Sequence, residues 1–146
     1  MRSGANKPRI VLDTKPLIKF FAKEEGWKTV QRILASVENG EIDAAISVVT
    51  LTEIYYKYLQ EKRADLARIR IEELRYAVDI RKLSISGEVA VKAGEFKEKY
   101  NVPIADAFIA ATAYFEDATL ISDDADFKRI DEIKTLTEEE FLSSLG

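Results

Sequence analysis

The chain alternates between two hydrophobic periods. "RIVLD" at 9–13 and "DAAISV" at 43–48 are short apolar runs, the pattern of buried strands. "ATLIS" at 118–122 repeats it. "EIKTL" at 132–136 and "DIRKL" at 79–83 are weaker, the latter suited to a sheet edge. Between them the spacing is helical over 16–22, 26–38, 50–62, 64–78, 86–100, from about Pro103, and over 137–145. Leu66, Ile69, Leu74 and Ala77 follow one face of the 64–78 helix. Gly40 suits a left-handed helix stop, and Ser86 and Thr137 suit N-caps. Strands alternating with helices predict an α/β fold with a parallel sheet covered on both faces. No repeat, low-complexity tract or linker appears, so one domain is expected over 9–146, after a loose arm at 1–8.

One helix breaks the pattern. In "PIADAFIAATAYF", 103–115, the only carboxylate is Asp106. A helix apolar all round is normally buried, and a buried carboxylate normally has a partner. With Asn101 or Val102 as the cap, Asp106 falls too deep to cap the helix itself. A macrodipole contact is worth only about 0.3–1 kcal/mol.

Ligands of such sheets bind beyond the carboxyl ends of the strands. Asp13 ends the first strand, and Glu53 lies early in the helix after the second. Asp123, Asp124 and Asp126 follow "ATLIS". Most have a plainer role. Asp13 suits an N-cap, with Pro16 in the first turn. Thr50-Leu51-Thr52-Glu53 reads as a capping box. "SDDADF" is a good turn and cap sequence, and Asp117 reads as a turn residue. Asp106 has no such alternative.

Composition narrows the chemistry. The 146 residues contain no Cys and no His, which excludes disulfides, thiolate nucleophiles, a Ser-His-Asp triad and His- or Cys-ligated metal. The net charge of −4 argues against a broad nucleic-acid-coating surface and leaves room for a local basic rim. Gathered carboxylates raise one another's pKa unless a cation intervenes. An all-oxygen donor set favours Mg²⁺ or Mn²⁺ over zinc, and such an ion suits phosphodiester chemistry. There is no GxxxxGK[ST] phosphate loop. "DTKPL" lacks the second Asp of a haloacid-dehalogenase-type phosphatase and the Ser pair of an integrin-type adhesion site. A response-regulator receiver wants paired acids after its first strand, where only Asp13 stands. No apolar run spans a bilayer, and "MRSGANKPRIV" does not read as a secretory signal, so a cytoplasmic protein without a membrane partner is expected.

Four segments together resemble the PIN-domain proteins, in particular the VapC-like ribonuclease toxins of prokaryotic toxin–antitoxin pairs. They are "IVLDTKPLIKFF" with Asp13 and Thr14, "ISVVTLTEIYYKY" with Glu53, "YNVPIADAFIAATA" with Asp106, and "ATLISDDADFKRI" with Ser122, Asp124, Asp126 and Phe127. The resemblance runs from about Ile10 to Leu136. It implies a three-layer α/β/α domain and one or two Mg²⁺ or Mn²⁺ ions held by the acids. It implies cleavage of single-stranded RNA by a metal-activated water, a homodimer or higher homo-oligomer, and a small antitoxin that covers the site. Asp13 and Asp106 become the expected central ligands. Glu53, Asp124 and Asp126 complete the set, and Thr14 and Ser122 are hydrogen-bond donors behind them. Lys15, Lys19, Lys57 and Arg63 are candidates to flank the RNA. Lys15 departs from the family, which usually has Ser or Asn there, and Asp123 stands where a basic residue is common. Lys15 favours the alternative of a catalytically weak PIN-fold module that binds RNA or protein, the intact acid set favours the nuclease, and the extra charge of Asp123 opposes RNA.

Overall fold

Apolar runs of two to five residues pair into one all-parallel sheet in the computed structural model, which describes residues 7–146. The arm expected at 1–8 lies almost wholly outside the described residues. The strands are β1 (Arg9–Leu12), β2 (Asp43–Ser47), β3 (Ile80–Leu83), β4 (Thr119–Ile121) and β5 (Thr135–Leu136), in the order β3-β2-β1-β4-β5. "DIRKL" is therefore an edge strand, as its sequence suggests. The helices are α1 (Thr14–Ala22), α2 (Trp27–Glu38), α3 (Val48–Gln60), α4 (Ala64–Arg75), α5 (Gly87–Tyr100), α6 (Ile104–Glu116), α7 (Ala125–Lys128) and α8 (Glu138–Ser144).

Side chains alternate across a strand, so each strand feeds two cores. Ile10, Leu12, Ala44, Ile46 and Ile121 face Leu17, Ile33, Ile54, Tyr58, Leu74 and Phe141 from α1–α4 and α8. Val11, Ala45 and Leu120 face Val89, Phe96, Ala107, Ile109, Ala110 and Phe127 from α5–α7. The sheet is thus sandwiched between two helical layers. Among the described residues, no helix is long and apolar enough to cross a membrane.

Several boundaries differ from the sequence reading. α1 begins at Thr14, with Asp13 as N-cap, because the Asp13 carboxylate accepts from the Thr14 N–H. α3 begins at Val48, capped by Ser47, whose Oγ accepts from the Val49 N–H at 3.1 Å. The expected Thr50–Glu53 capping box is therefore not formed: Glu53 lies beyond the first turn, where backbone N–H groups are already bonded within the helix. Asn101 ends α5 in a left-handed conformation, and Pro103, whose side chain makes no capping bond, precedes α6. Asp106 accordingly sits in the first turn of α6, closer to the helix start than expected. The short α7 is an element that "SDDADF" conceals, because a turn and a one-turn helix share the same Asp cap.

Candidate metal centre

The site is built where parallel strands end together. Leu12 pairs with Ile121 and Ile121 with Leu136, so Asp13, Ser122 and Thr137 leave the sheet at one level. Asp13 is buried, and both carboxylate oxygens are engaged. Oδ1 accepts from the Thr14 N–H at 2.7 Å, and Oδ2 accepts from the Ser122 hydroxyl at 2.7 Å. Ser122 Oγ in turn accepts from the Asp124 N–H at 3.0 Å. Asp124 caps α7 by accepting from the Asp126 N–H at 2.9 Å. One hydroxyl thus ties the strand-end acid to the acidic turn.

Glu53 reaches the same place from α3. Its Oε1 accepts from the Thr14 hydroxyl at 2.5 Å, and Thr50 Oγ1 lies 3.4 Å from that hydroxyl. Asp106, half-buried, enters from α6. One oxygen each from Asp106, Asp124 and Asp126 lie within 4.8 Å of one another. Asp126 also accepts from Arg129 at 3.0 Å.

The electrostatics follow from this crowding. Burial pushes the Asp106 carboxyl up to about 7, and the charges of Asp13, Asp124, Glu53 and Asp126 add to the rise. Burial pushes Asp13 up to about 6, with Glu53 and Asp124 adding repulsion and the Ser122 and Thr14 hydrogen bonds pulling back. Such an oxygen-only cluster fits a hard divalent cation such as Mg²⁺ or Mn²⁺. Asp106, Asp124 and Asp126 would hold it, with Asp13 and Glu53 adjoining.

The basic candidates are placed differently. Lys15 is exposed on α1. Burial pushes the Asp123 carboxyl up, but the hydrogen bond and charge of Lys19, with a smaller contribution from Lys15, hold it below the usual range. Lys19 bonds Asp123 at 2.6 Å and Glu138 at 3.1 Å. Lys57 pairs with Glu61 at 2.8 Å, and Arg63 with Asp65 at 3.0 Å. Glu138 is a buried acid that sequence reasoning missed. In "TEEEF" three glutamates follow the cap, and nothing in that run distinguishes the inward one.

Residues 10–133 match the PIN domain. The chain belongs to the PIN domain family. Among solved structures, VapBC2 from Rickettsia felis, bound to a DNA fragment from its promoter, matches with a TM-score of 0.73 at 20% identity, covering 88% of this chain and 98% of that one. VapBC-1 from nontypeable Haemophilus influenzae matches with a TM-score of 0.71 at 16% identity, covering 90% of this chain and 98% of that one. VapC20 from Mycobacterium tuberculosis, described as a toxin cleaving the sarcin-ricin loop, gives 0.69 at 16% identity over 83% and 94%. At these identities the likeness establishes a shared PIN fold. No curated protein sequence matches this one.

Proposed function

We propose that this PIN domain is a divalent-metal-dependent endoribonuclease acting on single-stranded RNA, the toxin of a toxin–antitoxin pair. The observation that carries this reading is the convergence of Asp106, Asp124 and Asp126 to within 4.8 Å, beside Asp13 and Glu53. Repulsion of that kind is tolerated where a cation resolves it. When bound, Mg²⁺ or Mn²⁺ polarises the scissile phosphate and lowers the pKa of a water. The chain's own groups do the rest. Asp13 and Glu53 are locked by Ser122 and Thr14, so both carboxylates are held in fixed orientations beside Asp106. Glu53 keeps a second carboxylate oxygen to orient a water. Exposed Lys15 offers an ammonium for RNA phosphate at the rim.

A protein partner is supported by an apolar groove of about 760 Å³ lined by Phe20, Phe21, Leu34, Leu74, Tyr76 and Val78. Val78 is 88% exposed and Tyr76 74%, so the groove presents an aliphatic and an aromatic side chain to solvent. The structures resembling this chain include a toxin–antitoxin complex from Klebsiella pneumoniae and a member of the VapBC family of toxin–antitoxin systems from Mycobacterium tuberculosis, so an antitoxin is the proposed partner. The toxin is further proposed to act as a homodimer or higher homo-oligomer.

The test is cleavage of single-stranded RNA, with duplex RNA as control, in Mg²⁺ or Mn²⁺ and then in excess EDTA. Single-strand cleavage abolished by EDTA and restored by Mn²⁺ supports the reading. RNA binding without cleavage in either metal favours the non-catalytic module, for which Lys15 is the specific observation.

A further inference from the structure

Lys19 lies on α1, beside the acid cluster, and its ammonium is already occupied. Nζ donates to Asp123 Oδ2 at 2.6 Å and to Glu138 Oε1 at 3.1 Å. The partners come from the turn after β4 and from the first residue of α8. Glu138 is 1% exposed, and its Oε2 has no hydrogen-bond partner among the described residues. Burying a carboxylate with one oxygen unsatisfied is costly. The α8 start does not require it, because Glu139 and Glu140 are exposed there and already complement the helix dipole. The inward position of Glu138 brings one thing, the Lys19 ammonium.

The turn it reaches carries Asp123, Asp124 and Asp126, and it faces Asp13, Asp106 and Glu53. Like charges at this density push the turn away from α6. Its internal bonds, Asp124 N–H to Ser122 Oγ and Asp126 N–H to Asp124 Oδ1, are local. The Ser122 hydroxyl on Asp13 holds its start, and the buried Phe127 with a Lys128–Glu140 pair at 3.0 Å holds its end. Asp123, between them, is held by Lys19. α8 is well anchored by the buried Phe141 and by a Thr137–Glu140 capping box.

We infer that Lys19 and Glu138 are positioning residues, forming a clamp that ties the Ser122–Asp126 turn to α8 and thereby holds Asp124 and Asp126 against Asp106. The clamp is a property of the folded chain. Its consequence for metal binding rests on the proposed metal-site reading of those acids.

Glu138→Gln and Glu138→Ala remove the same charge, but only Gln keeps an oxygen acceptor for Lys19. Backbone amide exchange is measured over residues 122–127 in the metal-free protein, with Mn²⁺ affinity as a second readout. In Glu138→Ala, exchange in this turn rises about ten-fold, whereas Glu138→Gln stays within about two-fold of the parent. Mn²⁺ affinity falls about ten-fold in the Ala variant and little in the Gln variant. If Glu138→Ala does not fold, Lys19→Met against Lys19→Arg repeats the comparison at a partly exposed side chain, with Met loosening the turn and Arg retaining it. Equal exchange in the two variants of a pair overturns the clamp, and so does a uniform rise across β1 and α6, which marks mere loss of stability. The expected exchange difference without Mn²⁺ binding by any form, the parent included, upholds the clamp and overturns the metal reading instead.

Discussion

The Ser122 hydroxyl donates to Asp13 Oδ2 at 2.7 Å and accepts from the Asp124 N–H at 3.0 Å, linking two adjacent strand ends through one buried atom. Removing that hydroxyl leaves a buried carboxylate oxygen and a backbone N–H unpaired. Ser122→Ala is expected to lower stability by about 1–3 kcal/mol at neutral pH, whereas Ser122→Thr restores the donor. Denaturant unfolding of the three proteins at pH 7.5 measures this. An Ala variant as stable as the parent assigns the hydroxyl no structural part.

The Thr14–Glu53 bond gives a different expectation. Glu53→Gln keeps an oxygen acceptor for the Thr14 hydroxyl and leaves the Ser47 cap intact. Its stability stays within about 1 kcal/mol of the parent, while RNA cleavage in Mn²⁺ drops steeply. Thermal melting and a cleavage assay on the same preparation decide the point. Unchanged cleavage would remove Glu53 from the site.

The strands, the helical layers and the crossing of four acid-bearing segments were legible because the periods and the strand-end positions are local properties of the chain. The Glu53 capping box does not form because "SVVTLTE" offers two starts, Ser47 and Thr50, and the helix is capped by Ser47, which ends β2 where the pairing with β3 stops. Asp106 appeared too deep in its helix because Asn101 looks like an N-cap. It instead adopts the left-handed conformation that closes α5. Lys19 and Glu138 are separated by more than a hundred residues, and only the sheet order brings them together. Pairing of that kind leaves no pattern in a single sequence.

Phe127 is fully buried in the core beneath α7 and roots the turn that carries Asp124 and Asp126. Phe127→Ala is expected to cost about 3–5 kcal/mol, and Phe127→Leu considerably less. Urea unfolding checks the magnitude. A cost below about 1 kcal/mol would show that the turn is not anchored through this ring.

Asp106 and Asp13 have folded-state pKa values of about 7 and about 6, raised above the ordinary 3.8. Raised acids hold protons that the unfolded chain releases, so their contribution to stability is fully present below the unfolded pKa. It is lost as pH rises through the folded pKa. Between pH 4 and 8, Asp106→Asn therefore melts progressively higher relative to the metal-free parent as pH increases. Protons also compete with a cation for these oxygens, so Mn²⁺ affinity of the parent falls as pH drops below about 7. Melting and Mn²⁺ titration across this range test both slopes, and a flat parent-minus-mutant difference would contradict the assignment.

The most direct measurement compares the parent with Asp106→Asn in one experiment at pH 7.5, following melting temperature against Mn²⁺ concentration and single-stranded RNA cleavage in the same samples. A ligand that binds only the folded state raises the melting temperature. If the acids form a catalytic metal site, Mn²⁺ stabilises the parent, stabilises the mutant much less, and supports cleavage by the parent alone, with EDTA abolishing both effects. Equal stabilisation of the two proteins by Mn²⁺, or cleavage that survives thorough chelation, would contradict a metal centre at Asp106.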